Sequence, residues 1–251
     1  MFRSVVLVLA ASAVLFGCRH IPDEKERQGA QIHYDLGINA QNSGQPQEAY
    51  KEFSEALKLD PFFPEAHNAM GLLLHFGFHK YDDAIAQYQE ALKNRPEFSE
   101  AKTNMGNVYL EQGKYDEAIK LYEEALNDML YATPFIAQGN LGWALYKKGD
   151  TAGALDHIKA AVTMNPKFCL GYKNLGLIHD AEGKADEACK QYAKYVEACP
   201  DVGDAWYRQG VCLGKSGDPA KAKEAFAACQ SKAGSNDDLR DQCKRLQDAM
   251  Q

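Results

Sequence analysis

Three groups of residues in this chain carry reactive side chains at suggestive spacing: seven cysteines, a histidine pair and several adjacent acids. A thiol can serve as metal ligand, redox partner, disulfide half or acylation site, and its neighbours decide which. Cys18 stands alone near the N-terminus, whereas Cys169, Cys189, Cys199, Cys212, Cys229 and Cys243 all fall in the C-terminal third. No two of them make a CxxC pair, which argues against a zinc site and against thiol-dependent enzymology, the weaker alternative. His75 and His79 have the spacing that puts two imidazoles on one helix face. Gly77 and a register insertion between them end that helix, so no metal site is expected. Asp82-Asp83 and Glu123-Glu124 fall in polar stretches and read as solvated faces. There is no GxSxG, no phosphate-cradling glycine loop, no HExxH and no dinucleotide fingerprint. No catalytic residue is expected, no cofactor is implied, and the chain reads as a non-enzyme. With 35 acids against 28 bases the formal charge is −7, which disfavours nucleic acid as a partner.

The elements that position these residues begin with an address. Arg3 precedes an apolar run of twelve residues, VVLVLAASAVLF, then Gly17 and Cys18. That pattern is an export signal, and the run is short for a bilayer span, which takes roughly 20 residues. Leu15-Phe16-Gly17-Cys18 resembles the lipobox of bacterial lipoproteins. The resemblance implies cleavage before Cys18, a covalent lipid on its sulfur, and acylation of the new amine. Arg19 after the cysteine implies sorting to the outer membrane, on its periplasmic face. The divisions expected are 1–17 signal peptide, 18–29 lipidated N-terminus and short linker, 30–234 repeats, and 235–251 capping helix.

An internal period organises the rest. Gly37, Gly71, Gly106, Gly142, Gly176 and Gly210 are spaced by 34, 35, 36, 34 and 34 residues. Twelve residues on, an alanine recurs at 49, 118, 154, 188 and 222, with Ala84 displaced by one. A bulky residue follows at Phe53, Tyr88, Tyr122, Ile158, Tyr192 and Phe226. Pro61, Pro96, Pro166 and Pro200 close four of the units. This is similar to the tetratricopeptide pattern, repeated six times. The resemblance implies an all-α, right-handed superhelical solenoid of six helix pairs. Gly44, Gly113, Gly149, Gly183 and Gly217 fall at the turn inside each pair. Two places break the register: one residue is inserted around His75–His79 and two around Leu130–Pro134. The first is expected in a turn; tolerated loop insertion is the plainer reading of both, and an apolar turn offering Phe76 and Phe78 to a partner is the functional one.

Six cysteines in an oxidising compartment allow 15 pairings. Antiparallel helices bring together residues equidistant from the turn between them. Cys169-Cys199 centres on Lys184 beside the Gly183 turn, Cys189-Cys212 on Pro200-Asp201, and Cys229-Cys243 on Asn236. This one set uses all six, although the direction each side chain faces also decides pairing.

Tetratricopeptide arrays hold partners along their first helices. The positions implied here for a partner-binding groove are Tyr34, Ile38, Leu72, Phe76, Leu110, Trp143 and Tyr146, with Asn104, Asn140 and Asn174 as a possible amide ladder for a peptide backbone. Lys102, Lys147 and Lys173 are too few for a strong carboxylate clamp. An apolar or amphipathic ligand is therefore expected.

Signal, lipobox and six repeats together resemble the pilotin lipoproteins of type IV pili, the PilF/PilW/Tgl family, and layout and cysteine usage are most like the Tgl branch. That implies a monomeric, lipid-anchored factor that helps secretin subunits insert in the outer membrane and multimerise. The alternative is a repeat lipoprotein serving outer-membrane barrel insertion or cell-wall enzyme recruitment.

Overall fold

The interval between each repeat glycine and its alanine brackets one sharp turn between two antiparallel helices. The computed structural model describes residues 20–250; the signal segment and Cys18 lie outside the described residues. Within them α1 (Glu24–Asn42) pairs with α2 (Pro46–Leu59), and α3 (Pro64–Leu72) with α4 (Tyr81–Asn94). Next come α5 (Ser99–Glu111) with α6 (Tyr115–Leu126), and α7 (Pro134–Lys148) with α8 (Thr151–Met164). The last pairs are α9 (Cys169–Ala181) with α10 (Ala185–Ala198), and α11 (Gly203–Lys215) with α12 (Pro219–Lys232); α13 (Asp237–Ala249) then packs on α12. No strand occurs among the described residues.

Glycine and bulky residue meet inside each pair. A Cβ at Gly71 would lie 2.6 Å from the Tyr88 ring, and one at Gly106 2.7 Å from the Tyr122 ring. Gly142 stands the same way against Ile158, and Gly210 against Phe226. Tyr88, Tyr122, Ile158 and Phe226 are fully sealed from solvent, as are all six alanines that follow the turns. Each pair thus buries one large side chain against a bare stretch of backbone. Neighbouring pairs cover what remains, giving a core that runs the length of the stack.

Helices alternate in direction, so the turns within pairs gather on one edge and the connections between pairs on the other. Five of the six turns share one geometry. A glycine takes a positive φ, and the next amide donates to the carbonyl five residues back, as in Gln45 to Ala40 and Lys114 to Tyr109. The sixth differs. The inserted residue near His75 is not in a turn, as the sequence led us to expect, but inside the helix. Leu73–Gly77 forms a π-helical turn that prolongs α3. The Lys80 amide then donates to Leu74, six residues back, at 2.8 Å, and His79 takes the positive φ of 54° that glycine holds elsewhere. A π-turn absorbs one residue without breaking the helix. It also separates the two aromatics: Phe76 remains exposed, while Phe78 turns toward α2 and meets Tyr50 edge-on at 6.0 Å.

The N-terminal boundary also moves. α1 begins at Glu24, six residues before the repeat start expected at residue 30. Asp23 accepts from the Glu26 amide, and Glu26 accepts from the Asp23 amide, a reciprocal capping box. The linker expected to reach residue 29 therefore ends at the cap.

The structure joins Cys169 to Cys199, Cys189 to Cys212 and Cys229 to Cys243, with Cα separations of 6.0, 5.5 and 6.2 Å. These bridges tie α9 to the end of α10, α10 to α11, and α12 to α13. By chain-entropy reasoning each loop closure contributes about 3 kcal/mol.

Two substitutions at α3 and its turn should shift stability in opposite directions. Gly71→Ala drives a methyl into a ring that cannot move and should cost about 1–3 kcal/mol in urea unfolding. His79→Gly relieves the left-handed backbone and should gain up to about 1 kcal/mol.

Candidate functional site

The first helices of successive pairs approach one another (α3 to α5, α5 to α7, α7 to α9), whereas the second helices have no comparable mutual packing. The stack therefore curves with its first helices on the inner side. The inner face begins with an aromatic and aliphatic group on α1 and α3. Tyr34 sits 6.1 Å from Phe53 and 5.2 Å from Phe63, ring to ring, and burial first, then nearby carboxylates, pushes its phenol up. Ile38 and Leu72 are half-buried in the same apolar cluster. Leu110 packs into the next cluster along, and Trp143 and Tyr146 into a third, their rings 5.2 Å apart. Lys147 lies 5.0 Å above the Trp143 ring.

Most of these residues thus have a packing role as well as a face toward the groove. Phe76 differs, being 58% exposed, with its ring stacked on that of His75 at 4.0 Å. His75 itself is buried against α5, with Nε2 3.1 Å from a Glu111 carboxylate oxygen, while His79 stands exposed in the turn beyond. The two histidines part company and do not converge on a common point. Tyr81 and the buried Tyr88 lie near the same carboxylate, and burial first, then Glu111, raises both phenols. Among the described residues no three histidine, cysteine or acidic groups gather as metal ligands would.

Asn104 and Asn140 have partners within the stack. Asn104 donates through Nδ2 to Asn68 at 3.0 Å, and Asn140 donates to Asn107 at 2.7 Å. Asn107 also accepts from the Tyr122 hydroxyl at 2.8 Å. These amides link one first helix to the next, so one N–H of Asn104 and one of Asn140 are engaged within the stack. Asn174 makes no such link among the described hydrogen bonds. The signal was in the sequence: Asn68 and Asn107 stand a repeat away from Asn104 and Asn140, so each amide faces another.

At the far end the charges are spent internally. Asp204 accepts from Lys173 and from Arg208 Nε, both at 3.0 Å, and the Tyr195 hydroxyl lies 3.4 Å away. Burial opposes ionisation of Asp204, but the bonds from Arg208 and Lys173 outweigh it and hold the carboxyl below its usual range. Burial, with Asp204 beside it, pushes the Tyr195 phenol up to about 12. Lys173 is therefore already paired within the chain. Sequence reasoning also missed a cleft of about 480 Å³ on the outer side, lined by Tyr50, Leu57, Met70, Leu74 and Lys80 among others. It forms between α2 and α4, where the π-turn alters the spacing pattern.

A curved stack of helix pairs with an apolar inner face, rather than a closed pocket, defines a helical-repeat scaffold for protein–protein contacts. The chain belongs to the tetratricopeptide repeat family, whose profiles match residues 30–63, 72–135, 140–203 and 173–237. Among solved structures it is similar to PilW, described as a widely conserved type IV pilus biogenesis factor. Identity is 22% and the TM-score 0.73, over 85% of this chain and 97% of that one. It is similar to PilF of Pseudomonas aeruginosa at 18% identity and TM-score 0.71, over 88% and 99%. A chain of the Cut9–Hcn1 hetero-tetramer matches at 17% and 0.73, over 89% of this chain but 43% of that one. A comparison with curated protein sequences finds no match. These likenesses establish the fold.

Asp204→Asn tests the internal ion pair. At pH 7 the variant should lose roughly 1–3 kcal/mol, the range for hydrogen bonds to charged groups. The native carboxyl titrates below its unfolded value, so its contribution is complete above pH 4 or so and disappears as pH falls through the folded pKa. Urea midpoints of the two proteins should therefore converge in acid; a constant gap across pH 2–7 would count against the pairing.

Proposed function

We propose that this chain is an outer-membrane lipoprotein, anchored through Cys18 on the periplasmic face, that acts as pilotin for the secretin of a type IV pilus. It promotes insertion and multimerisation of secretin subunits and is needed for pilus formation and surface motility. The observation that carries this is extent: the solenoid spans nearly the whole of PilW and PilF, but under half of the Cut9–Hcn1 chain of similar TM-score. The lipobox-like Leu15–Cys18 segment supports the same reading. The six paired cysteines and the layout favour the Tgl branch of that family.

The inner face suits the task. A secretin subunit outside its ring presents unpaired strand edges and apolar surface that aggregate if left free. Tyr34, Ile38, Leu72 and Leu110 offer a firm, half-buried apolar floor, and Phe76 stands out from it as an anchor for a partner side chain. The lipid holds this face near the membrane, each buried CH₂ adding about 0.8 kcal/mol of attachment. The bound subunit leaves when its neighbours cover the same surface.

Removing the protein from cells should abolish heat- and detergent-resistant secretin multimers while monomers persist. Restoring it with Phe76→Asp should leave multimers depleted at normal protein level, since an exposed residue can change without unfolding the stack. Unchanged multimers on removal would overturn the reading in favour of a scaffold for barrel insertion or cell-wall enzymes, separable by which proteins co-purify.

A further inference from the structure

The two edges of the stack differ in chemistry. On the edge of the turns within pairs, exposed residues are mostly polar or glycine, such as Ser43, Lys114, Lys148 and Lys184, with Phe76 beside the π-turn as the large apolar exception. On the edge of the connections between pairs, large apolar side chains stand in water. Met129 is 99% exposed and Leu130 91%; Met164, Leu170 and Val202 follow on the next two connections. Ile21, at the start of the described chain, is exposed on this same edge, because α1 begins there like every first helix.

The anchor joins this edge too. Cys18 precedes His20 by two residues, a reach of about 7 Å even when fully extended. We propose that this edge rests on the bilayer surface, with Met129 and Leu130 inserted among the lipid headgroups and Met164, Leu170 and Val202 along the line of contact. The proposal rests on the lipid-anchor reading and adds an orientation to it.

The pattern favours lipid over a protein partner. The apolar residues stand at the tips of three successive connections, whereas a protein hot spot gathers them in one packed centre. The tip beneath Met129 is firmly built: Asp128 accepts from Ser99 Oγ at 2.8 Å and from the Leu130 amide at 2.9 Å. Tyr131 is buried below it and donates to Thr103 at 3.0 Å. The two side chains are therefore held outward. Lys167, exposed on the same edge, suits phosphate headgroups. With this edge on the membrane, the turns face the periplasm and the inner face stands at the side, open to a subunit lying in the bilayer.

The test uses the full-length lipidated protein in vesicles of phosphatidylethanolamine and phosphatidylglycerol with brominated chains. An environment-sensitive fluorophore is placed at Leu130→Cys or, on the opposite edge, at Lys148→Cys. The expected result is a blue shift and loss of emission at position 130 and neither at 148. Met129→Ser in the Leu130→Cys background should reduce the quenching. Equal quenching at both positions, or none at either in vesicle-bound protein, overturns the proposal. A shift at 130 that appears only when secretin is added also overturns it, in favour of a protein partner. If intact mass shows Cys18 unmodified and the chain does not float with vesicles, the anchor reading fails and this orientation with it. Lipidated, floating protein without quenching fails the orientation alone.

Discussion

Each helix pair turns on one contact: a residue without a side chain on the first helix, pressed against a large one from the second. The bulky residue cannot seat unless the glycine backbone is bare, and it is the most deeply buried large side chain of most pairs. The wedge sets how close the two helices come, and the turn alanine lets the second helix follow. Because one pair cannot cover its own outer surface, the same contact recurring every 34–36 residues forces the pairs to stack. The inner face, the two edges and the alternating direction of the helices all follow from that repetition.

That constraint explains what the sequence made legible. The six glycines and their partners carry the period, so helix number, order and pairing could be read from them directly. The cysteines could be read as well, because equidistance from a turn is a property of antiparallel helices and all six residues fit one scheme. What escaped was local hydrogen bonding. The insertion at His75–His79 looks the same in sequence whether a turn lengthens or a helix bulges. The π-turn prevails because it keeps Leu73 and Leu74 buried while moving the left-handed position on to His79. The early start of α1 was visible as Asp23-x-x-Glu26 but was masked by the polarity of the segment.

The groove was half legible for a related reason. Periodicity tells which residues share the inner side, but not how much of each is already used. Ile38 and Leu72 support the core and Asn104 and Asn140 support the next helix, so the free chemistry of the face is smaller than its residue count suggests. Phe76 stands five residues after its repeat glycine, a position that is exposed in the other pairs as well, where it holds Asn42, Glu111, Lys147, Ala181 and Lys215. An aromatic side chain at that exposed position, not a different backbone placement, supplies the anchor.

The molecule is therefore uneven along its length. All three bridges lie between α9 and α13, and the Lys173–Asp204–Arg208 group adds charge pairing there. The half from α1 to α8 holds no bridge but contains the π-turn, the buried His75 beside Glu111 and the outer cleft. In a stack where each pair touches only its neighbours, such differences stay local. The cross-linked end resists fraying where there is no further pair to cover it. The unbridged end is the less constrained one, and it is there that Phe76 projects and the chain leads back toward Cys18. A partner gripped at that end can be accommodated and released by small shifts between pairs without loosening the rest of the fold.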